Sequence, residues 1–156
     1  MTSLLKNSKL QLLHFVLQDM RLCIDLQNVS KVLPLVFLET IPSSPNYIVG
    51  LMNISGKSTP IIDLATRLGM KRHNKYSLDV PVLLCGDDKH EAGFVVDQIL
   101  EIVDVYPNSL QMQDEFDKPT SFFSASVSLE NELSLLINIS RVLDVSLVQH
   151  LKSTTK

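Results

Sequence analysis

The segment Gly56-Lys57-Ser58 has the residue types that bind a phosphate, with backbone N–H groups, a lysine and a hydroxyl side by side. A phosphate loop also needs a glycine five residues before the second one, but Leu51 stands there and Gly50 is one position too early. The loop must then lead into a helix that faces the anion, whereas Thr59-Pro60-Ile61-Ile62 favours a strand. We therefore interpret the segment as a protein-binding corner.

Other reactive side chains do not form a catalytic pattern. The chain has no Gly-x-Ser-x-Gly elbow, and its two cysteines, Cys23 and Cys85, lie in apolar runs without a metal-binding neighbour. We expect both to be buried, reduced thiols. The histidines are scattered, and the one in an apolar strand is expected to be a hydrogen-bonded core or edge residue; they are His14, His73, His90 and His150. We predict a protein that is not an enzyme and has no metal or cofactor.

Composition limits the partners of the chain. Its 156 residues fit one domain or two small lobes, with 45% hydrophobic and 20% charged residues. A net charge of −3 gives no reason to expect nucleic acid or an anionic membrane. No apolar run is long enough to span a membrane, and no secretory signal is recognisable, so we expect a cytoplasmic protein.

The residues around the corner predict short elements. Ser44 and Pro45 could begin a helix through Tyr47-Ile48-Val49, ended by Gly50. A strand is expected from Ser58 to Ile62. Asp63 would then cap a second helix, from Leu64 to Leu68, which Gly69 ends.

The remaining pattern is dominated by strands and hairpins. Val29 and Val32 suggest one helical turn before an extended run whose Pro34 favours a sheet edge. Residues 71–75 and 107–119 are expected to be loops, and residues 140–151 a helix. The predicted strands are 12–17, 21–26, 32–38, 80–85, 91–96, 99–106, 122–129 and 133–139.

An internal repeat suggests two similar lobes. Leu136-Ile137-Asn138-Ile139 follows Ile61-Ile62-Asp63-Leu64 at an offset of 75 residues, which also places Ala125 on Gly50 and Asn131 on Gly56. Many short strands with frequent turns favour small closed barrels, which hide their edges. The residues by themselves thus predict an all-β binding protein with two lobes.

Three motifs follow one another in the chain: Val49-Gly50-x-x-Asn53-x-x-Gly56-x-x-x-Pro60-Ile61-Ile62-Asp63-Leu64, then Gly93-Phe94-Val95-Val96-Asp97-Gln98-Ile99, then Leu136-Ile137-Asn138-Ile139. In these motifs the chain resembles the CheW family of chemotaxis coupling proteins, and the resemblance runs from about Gln11 to Leu143. It implies a mainly β fold of two small five-stranded, SH3-like barrels around a shared hydrophobic groove, with short helices. It also implies an adaptor between the cytoplasmic tips of chemoreceptors and the regulatory domain of a CheA-type histidine kinase.

The resemblance suggests how one CheW-like domain over residues 1–156 would be divided. The first subdomain would cover about residues 18–77, and the second about 78–145 together with the first strand. Residues 1–9 would be flexible and 146–156 a C-terminal helix or tail.

The resemblance also places two sites. The receptor-binding groove falls on Leu13, Leu26, Val29, Val32 and Ile99, although Leu13 and Leu26 could equally fill the barrels. The kinase-docking corner falls on Lys31, Ser55, Gly56 and Lys57.

The corner departs from the family pattern. Ser55 replaces an arginine, Lys31 a glutamate, Ser58 an aliphatic residue and Ala125 a glycine. Serine cannot supply the donor fork of arginine, and the reversed charge at Lys31 would alter partner choice. Two alternatives to a coupler remain: a regulator that binds receptors without docking the kinase, and a coupler for a non-flagellar array, as in pilus motility or surface sensing.

Overall fold

The computed structural model describes residues 8–36, 38–71, 80–118 and 121–144. The fold is mainly β, with two one-turn helices, α1 (Leu64–Arg67) and α2 (Ile139–Val142). The strands are β1 (Leu10–Leu17), β2 (Met20–Asp25), β3 (Val29–Pro34), β4 (Ile48–Ile54), β5 (Lys57–Asp63), β6 (Pro81–Gly86), β7 (Glu91–Val95), β8 (Gln98–Val105), β9 (Phe123–Leu129) and β10 (Glu132–Ile137).

The ten strands form two five-stranded sheets. Sheet 1 has the order β8-β1-β2-β10-β9, and sheet 2 has the order β3-β6-β7-β5-β4. Each sheet has one parallel pair at the same place in its order, β2 with β10 and β5 with β7, and the other pairs are antiparallel. The two sheets therefore have the same topology.

In each sheet, the segment that follows one edge strand reaches the opposite edge. Beyond β3, Glu39 exchanges two backbone hydrogen bonds with Leu51 of β4, at 2.9 and 2.7 Å. Beyond β8, Gln111 does the same with Ser126 of β9, at 2.8 and 2.9 Å. Both sheets thus curl on themselves, which protects their edges.

The largest hydrophobic core lies between the sheets and is shared by them. Phe15 of sheet 1 and Phe94 of sheet 2 are both fully buried in this shared core. The helices cover it with Leu64 and Val142. Each sheet also has a smaller interior cluster of its own on its other face.

The predicted hairpins are confirmed, and the internal repeat has a structural counterpart. β5 and α1 begin at residues 57 and 64, whereas β10 and α2 begin 75 positions later, at residues 132 and 139. Asp63 and Asn138 stand at the N-caps of the two helices. The internal repeat in the sequence therefore corresponds to a repeated strand-helix unit.

The helix predicted around Tyr47-Ile48-Val49 is wrong, because β4 begins at Ile48 and runs through Gly50. Gly50 is needed for space rather than for a helix end. A Cβ atom there would lie 2.6 Å from the carbonyl oxygen of Glu39, the residue that pairs with β4. The glycine at this position reflects a close approach of two backbone segments and not the C-cap of a helix.

The helical turn predicted between Val29 and Val32 lies three residues earlier, at Leu26–Asn28. The Asp25 carboxylate accepts the Gln27 N–H at 3.0 Å and so caps this short 3-10 helix. Val29 already belongs to β3, the edge strand in which Pro34 was expected.

Strand pairing does not follow the predicted boundary between residues 77 and 78. β2 pairs within sheet 1, whereas β6 and β7 pair within sheet 2. Sheet 2 is thus built from residues 29–95, and sheet 1 combines the first two strands with the last three. Residues 1–7, most of the predicted 71–75 loop, and the predicted tail at 146–156 lie outside the described residues.

Candidate protein-binding surfaces

The predicted corner is the tight turn between β4 and β5. Ser55 and Gly56 both have positive φ, 53° and 85°, as expected of the two-residue turns that suit β-hairpins. The Asn53 side chain accepts the Gly56 N–H at 3.0 Å, which fixes the turn. Lys57 begins β5 and not a helix, so the structure has no phosphate-loop geometry here.

Lys31 joins this turn from the other edge of sheet 2. Its Nζ donates to the Ser55 hydroxyl at 3.1 Å, although β3 and β4 are the two edge strands of the sheet. The curl of sheet 2 therefore brings together the four predicted residues, Lys31, Ser55, Gly56 and Lys57, which are all exposed. We call these four residues the basic corner.

The predicted groove residues lie at the shared core to different depths. Leu13 is 4% exposed and packs inside the core. Leu26, Val29 and Ile99 are partly buried against the same core, and Val32 is 51% exposed.

Strand register explains why Val29 and Val32 face the same way. Val29 pairs with Cys85 and Val32 with Leu83, and both partners belong to the shared core. A bulge at Ser30 restores the alternation, because without it residues three apart in a strand would point to opposite sides.

Edge strand β8 of sheet 1 repeats this arrangement. Ile99 pairs with Phe15 and Ile102 with Leu13, again with a bulge between them and again facing the shared core. Ile102 is 52% exposed, and sequence reasoning missed it. The imperfect alternation along residues 99–106 indicated a bend in this strand. The position of the bulge, and so the side that Ile102 faces, is known only once the partner strand is known. We call Leu26, Val29, Val32, Ile99 and Ile102 the apolar margin.

Arg67 connects the two halves and was not singled out in the sequence. Its guanidinium lies 5.1 Å from the Tyr47 ring centroid and 4.7 Å from that of Phe122. Burial lowers the pKa of this guanidinium. It donates hydrogen bonds of 3.0 to 3.2 Å to the backbone carbonyls of Arg141, Val142 and Asp144. The α1 helix is thereby attached to the end of α2, which helps to fix how the two sheets pack.

Neither cysteine has the environment of a reactive thiol. Burial raises the pKa of Cys23 to about 11, although the nearby Ser134 hydroxyl opposes the rise. Burial also raises the pKa of Cys85 well above its ordinary range. Within the described ranges, no group of three or more His, Cys, Asp or Glu residues is placed to hold a metal ion.

In the part of the chain that the structure describes, no helix has the length and apolar character needed to cross a membrane.

Two curled sheets of the same topology, with an apolar margin and a basic corner, define a β-rich scaffold domain. The chain belongs to the CheW-like domain family, whose model matches residues 11–146. Proteins of this family are scaffolds and adaptors rather than enzymes.

Individual relatives are distant but cover most of the chain. The chemotaxis protein CheW of Thermotoga maritima is 23% identical over 134 residues, which are 86% of this chain and 87% of that protein. A probable chemotaxis protein CheW of Rhizobium etli is 27% identical over 131 residues, 83% of this chain and 84% of that protein. CheW of Helicobacter pylori is 24% identical over 136 residues, 87% of this chain and 81% of that protein.

A solved structure has the same fold. The scaffolding protein TtCheW from Thermoanaerobacter tengcongensis superposes with a TM-score of 0.79 and is 24% identical, covering 89% of this chain and 95% of that one.

Proposed function

We propose that this chain is an adaptor that couples the cytoplasmic tips of chemoreceptors to the regulatory domain of a CheA-type histidine kinase. Membership in the CheW-like family and relatives named as chemotaxis proteins support this function. The single observation that carries it is the presence of two separate surfaces on one scaffold, one apolar and one basic, which suits a protein that holds two partners.

The receptor tip would bind at the apolar margin. Val32 and Ile102 are each about half exposed on edge strands, and both face the core that the two sheets share. Leu26, Val29 and Ile99 continue the same surface inward, and Leu13 lies beneath them. An amphipathic helix could place its apolar face there, with residues three or four apart as anchors.

The kinase regulatory domain would bind at the basic corner. Lys57 and Lys31 bring two positive charges to a turn whose backbone is held by Asn53 and by the Lys31–Ser55 hydrogen bond. Such a corner would favour an acidic or polar surface on the partner, and charges at an interface mainly affect specificity and association rate.

Titration calorimetry with a receptor-tip fragment tests the apolar margin. A charge at Val32 would have to be desolvated, so we expect Val32→Asp to weaken binding at least tenfold, which is about 1.4 kcal/mol. Val36→Asp is the matched control, since Val36 is 54% exposed but lies beyond β3. Equal effects of the two variants would contradict a receptor site at the margin.

A second titration, with the kinase regulatory domain, tests the basic corner. We expect Lys57→Glu to weaken this binding several-fold, more at low salt than at high salt, because exposed charges are screened. Lys118→Glu makes the same charge change on an exposed lysine near the end of the 107–119 segment. Unaltered kinase affinity of Lys57→Glu would remove the corner from the proposal.

The two titrations also separate the alternatives. Receptor binding without kinase binding would identify a regulator that competes with a coupler, whereas no binding to either would refute the adaptor function. A coupler for a non-flagellar array would bind both partners and would differ only in which receptors and kinase it selects.

A further inference from the structure

His14 is a buried polar residue in the interior of sheet 1. It lies in the middle of β1, is 3% exposed, and pairs with Cys23 of β2 and Glu101 of β8. Among the described residues, its Nε2 atom has no hydrogen-bond partner. The hydrogen-bonded core or edge histidine that the sequence suggested is thus buried without a partner at Nε2.

Two further polar groups share this interior. Cys23 pairs with Leu136 of β10, and Ser134 lies two residues before Leu136, so both side chains are on the His14 side of the sheet. Ser134 is fully buried, and in the described part of the chain its hydroxyl has no hydrogen-bond partner other than the nearby Cys23 thiol. A buried imidazole nitrogen without a partner, close to a buried thiol and a buried hydroxyl, gives this small interior a polar character that needs an explanation.

A charged rim lies above these groups. Arg21 of β2 forms a salt bridge with Glu132 of β10, and each lies two residues before an interior residue, Cys23 or Ser134. The groups that act on the imidazole are Arg21 from β2, Glu101 from β8, Glu132 from β10 and Glu130 from the β9–β10 turn. Burial and then Arg21 lower the pKa of His14, and the three glutamates oppose this only in part.

His14 also stands at the bulge that shapes the apolar margin. The register between β1 and β8 shifts between His14 and Phe15, which pair with Glu101 and Ile99. Ile99 belongs to the apolar margin, and β8 is held in sheet 1 on one side only. A change in the His14 side chain therefore acts on the edge strand that carries two of the five residues of this margin.

We propose that His14 is a proton-operated switch: protonation drives its imidazole from the buried interior of sheet 1 toward the rim glutamates and loosens the pairing of β8 with β1. A buried imidazolium without a partner is costly, and Glu132 and Glu101 offer the charge that it needs. At the proposed receptor site, on which this step rests, acidification then weakens receptor binding through Ile99 and Ile102.

The direction of the pH effect follows from proton linkage. The folded chain binds a proton at His14 less readily than the unfolded chain, whose histidine has a pKa near 6.5. The stability contribution of neutral His14 is therefore complete above pH 6.5 and is lost as the pH falls from there toward the lower folded pKa. One group changes the folded-to-unfolded ratio by up to about tenfold per pH unit in this window.

NMR of the whole chain tests the switch without any partner. We expect the His14 imidazole resonances to titrate below pH 6.5, together with the amide resonances of Ile99 and Ile102. In His14→Phe these amide changes should disappear, and the fall in Tm between pH 7.5 and 5.5 should shrink. If His14→Phe does not fold, His14→Gln is used in its place. His90→Gln is the control, because His90 lies in the β6–β7 turn. A wild-type imidazole that titrates at or above 6.5, or a β8 that does not respond to it, would overturn the proposal.

Calorimetry with the receptor-tip fragment at the two pH values then tests the coupling. We expect the wild-type affinity to fall at least about threefold at pH 5.5, a fraction of the tenfold per pH unit that one proton can supply, and the affinity of His14→Phe to stay constant. Absence of binding at both pH values would refute the proposed receptor site, while the NMR titration still decides whether the switch exists. Binding that is equally pH-dependent in both proteins would contradict the coupling.

Discussion

Sheet 1 and sheet 2 have the same strand order, the same place for the parallel pair and the same closing bridge, yet their interiors differ. The interior of sheet 2 is apolar around Ile61 and Val82, and its buried Thr59 donates its hydroxyl to the Lys57 carbonyl at 3.4 Å. The equivalent residue in sheet 1, 75 positions later, is Ser134, whose buried hydroxyl lies beside the Cys23 thiol. The same topology therefore tolerates either an apolar or a polar interior. We expect stability to depend on pH in the sheet with the polar interior.

The largest expected loss of stability comes from substitutions in the hydrophobic core that the two sheets share. Phe15 and Phe94, one from each sheet, are both fully buried in the shared core, so replacing either with alanine should cost about 3–5 kcal/mol. Urea unfolding should show one transition with similar losses in both variants.

Leu133→Ala is the control for these two variants, because Leu133 is 65% exposed and its loss should cost less than about 0.5 kcal/mol. Two separate transitions would mean that the sheets unfold independently, and the comparison would then be between two domains.

A smaller effect is expected where one sheet has a glycine and the other an alanine. Gly50 of β4 is equivalent to the buried Ala125 of β9. Gly50→Ala should cost about 1–3 kcal/mol, because its Cβ would meet the Glu39 carbonyl oxygen at 2.6 Å. Ala125→Gly should cost about 0.5–1 kcal/mol, through backbone entropy and lost packing. Equal costs in the same unfolding assay would show that the two edges close in the same way.

The smallest effect is expected at the two equivalent turns. Ser55 and Gly56 have φ of 53° and 85°, and Glu130 and Asn131 have φ of 50° and 65°. Gly56→Ala should cost about 1 kcal/mol from conformation alone, since no atom lies within 4 Å of the added Cβ. Asn131→Gly should change stability by less than about 0.5 kcal/mol, because asparagine already tolerates this conformation. A larger loss in Asn131→Gly would mean that its side chain has a role that Gly56 lacks.

Much of the fold was predictable because its signals are local. Apolar runs separated by turn residues gave the hairpins, as around residues 18–19 and 130–131, and the repeat gave two similar halves. The Tyr47-Ile48-Val49 helix failed because a capping serine and a nearby glycine also fit a strand that passes close to Glu39. A single segment does not reveal its neighbours.

The assignment of strands to sheets was beyond local reasoning. The parallel pairs, β2 with β10 and β5 with β7, join strands far apart in the chain, and no residue in β2 marks its partner. The family resemblance placed Val29 and Leu13 in one groove and left open that Leu13 fills a barrel; in the structure Leu13 is buried, and Val29 rests on the core. A charge at Val29 is therefore expected to destabilise the fold, which makes Val32 the better probe of binding.

The order in which the strands are synthesised affects when sheet 1 can be completed. β1 and β2 are synthesised first, but their neighbours in the sheet, β8 and β10, are synthesised last. Sheet 2 comes from one continuous stretch and can close while the chain is still growing. Until then, both edges of the first hairpin remain unpaired, and unpaired edges are prone to aggregation. Completion of sheet 1 therefore depends on the synthesis of the last strands and on protection of this early hairpin.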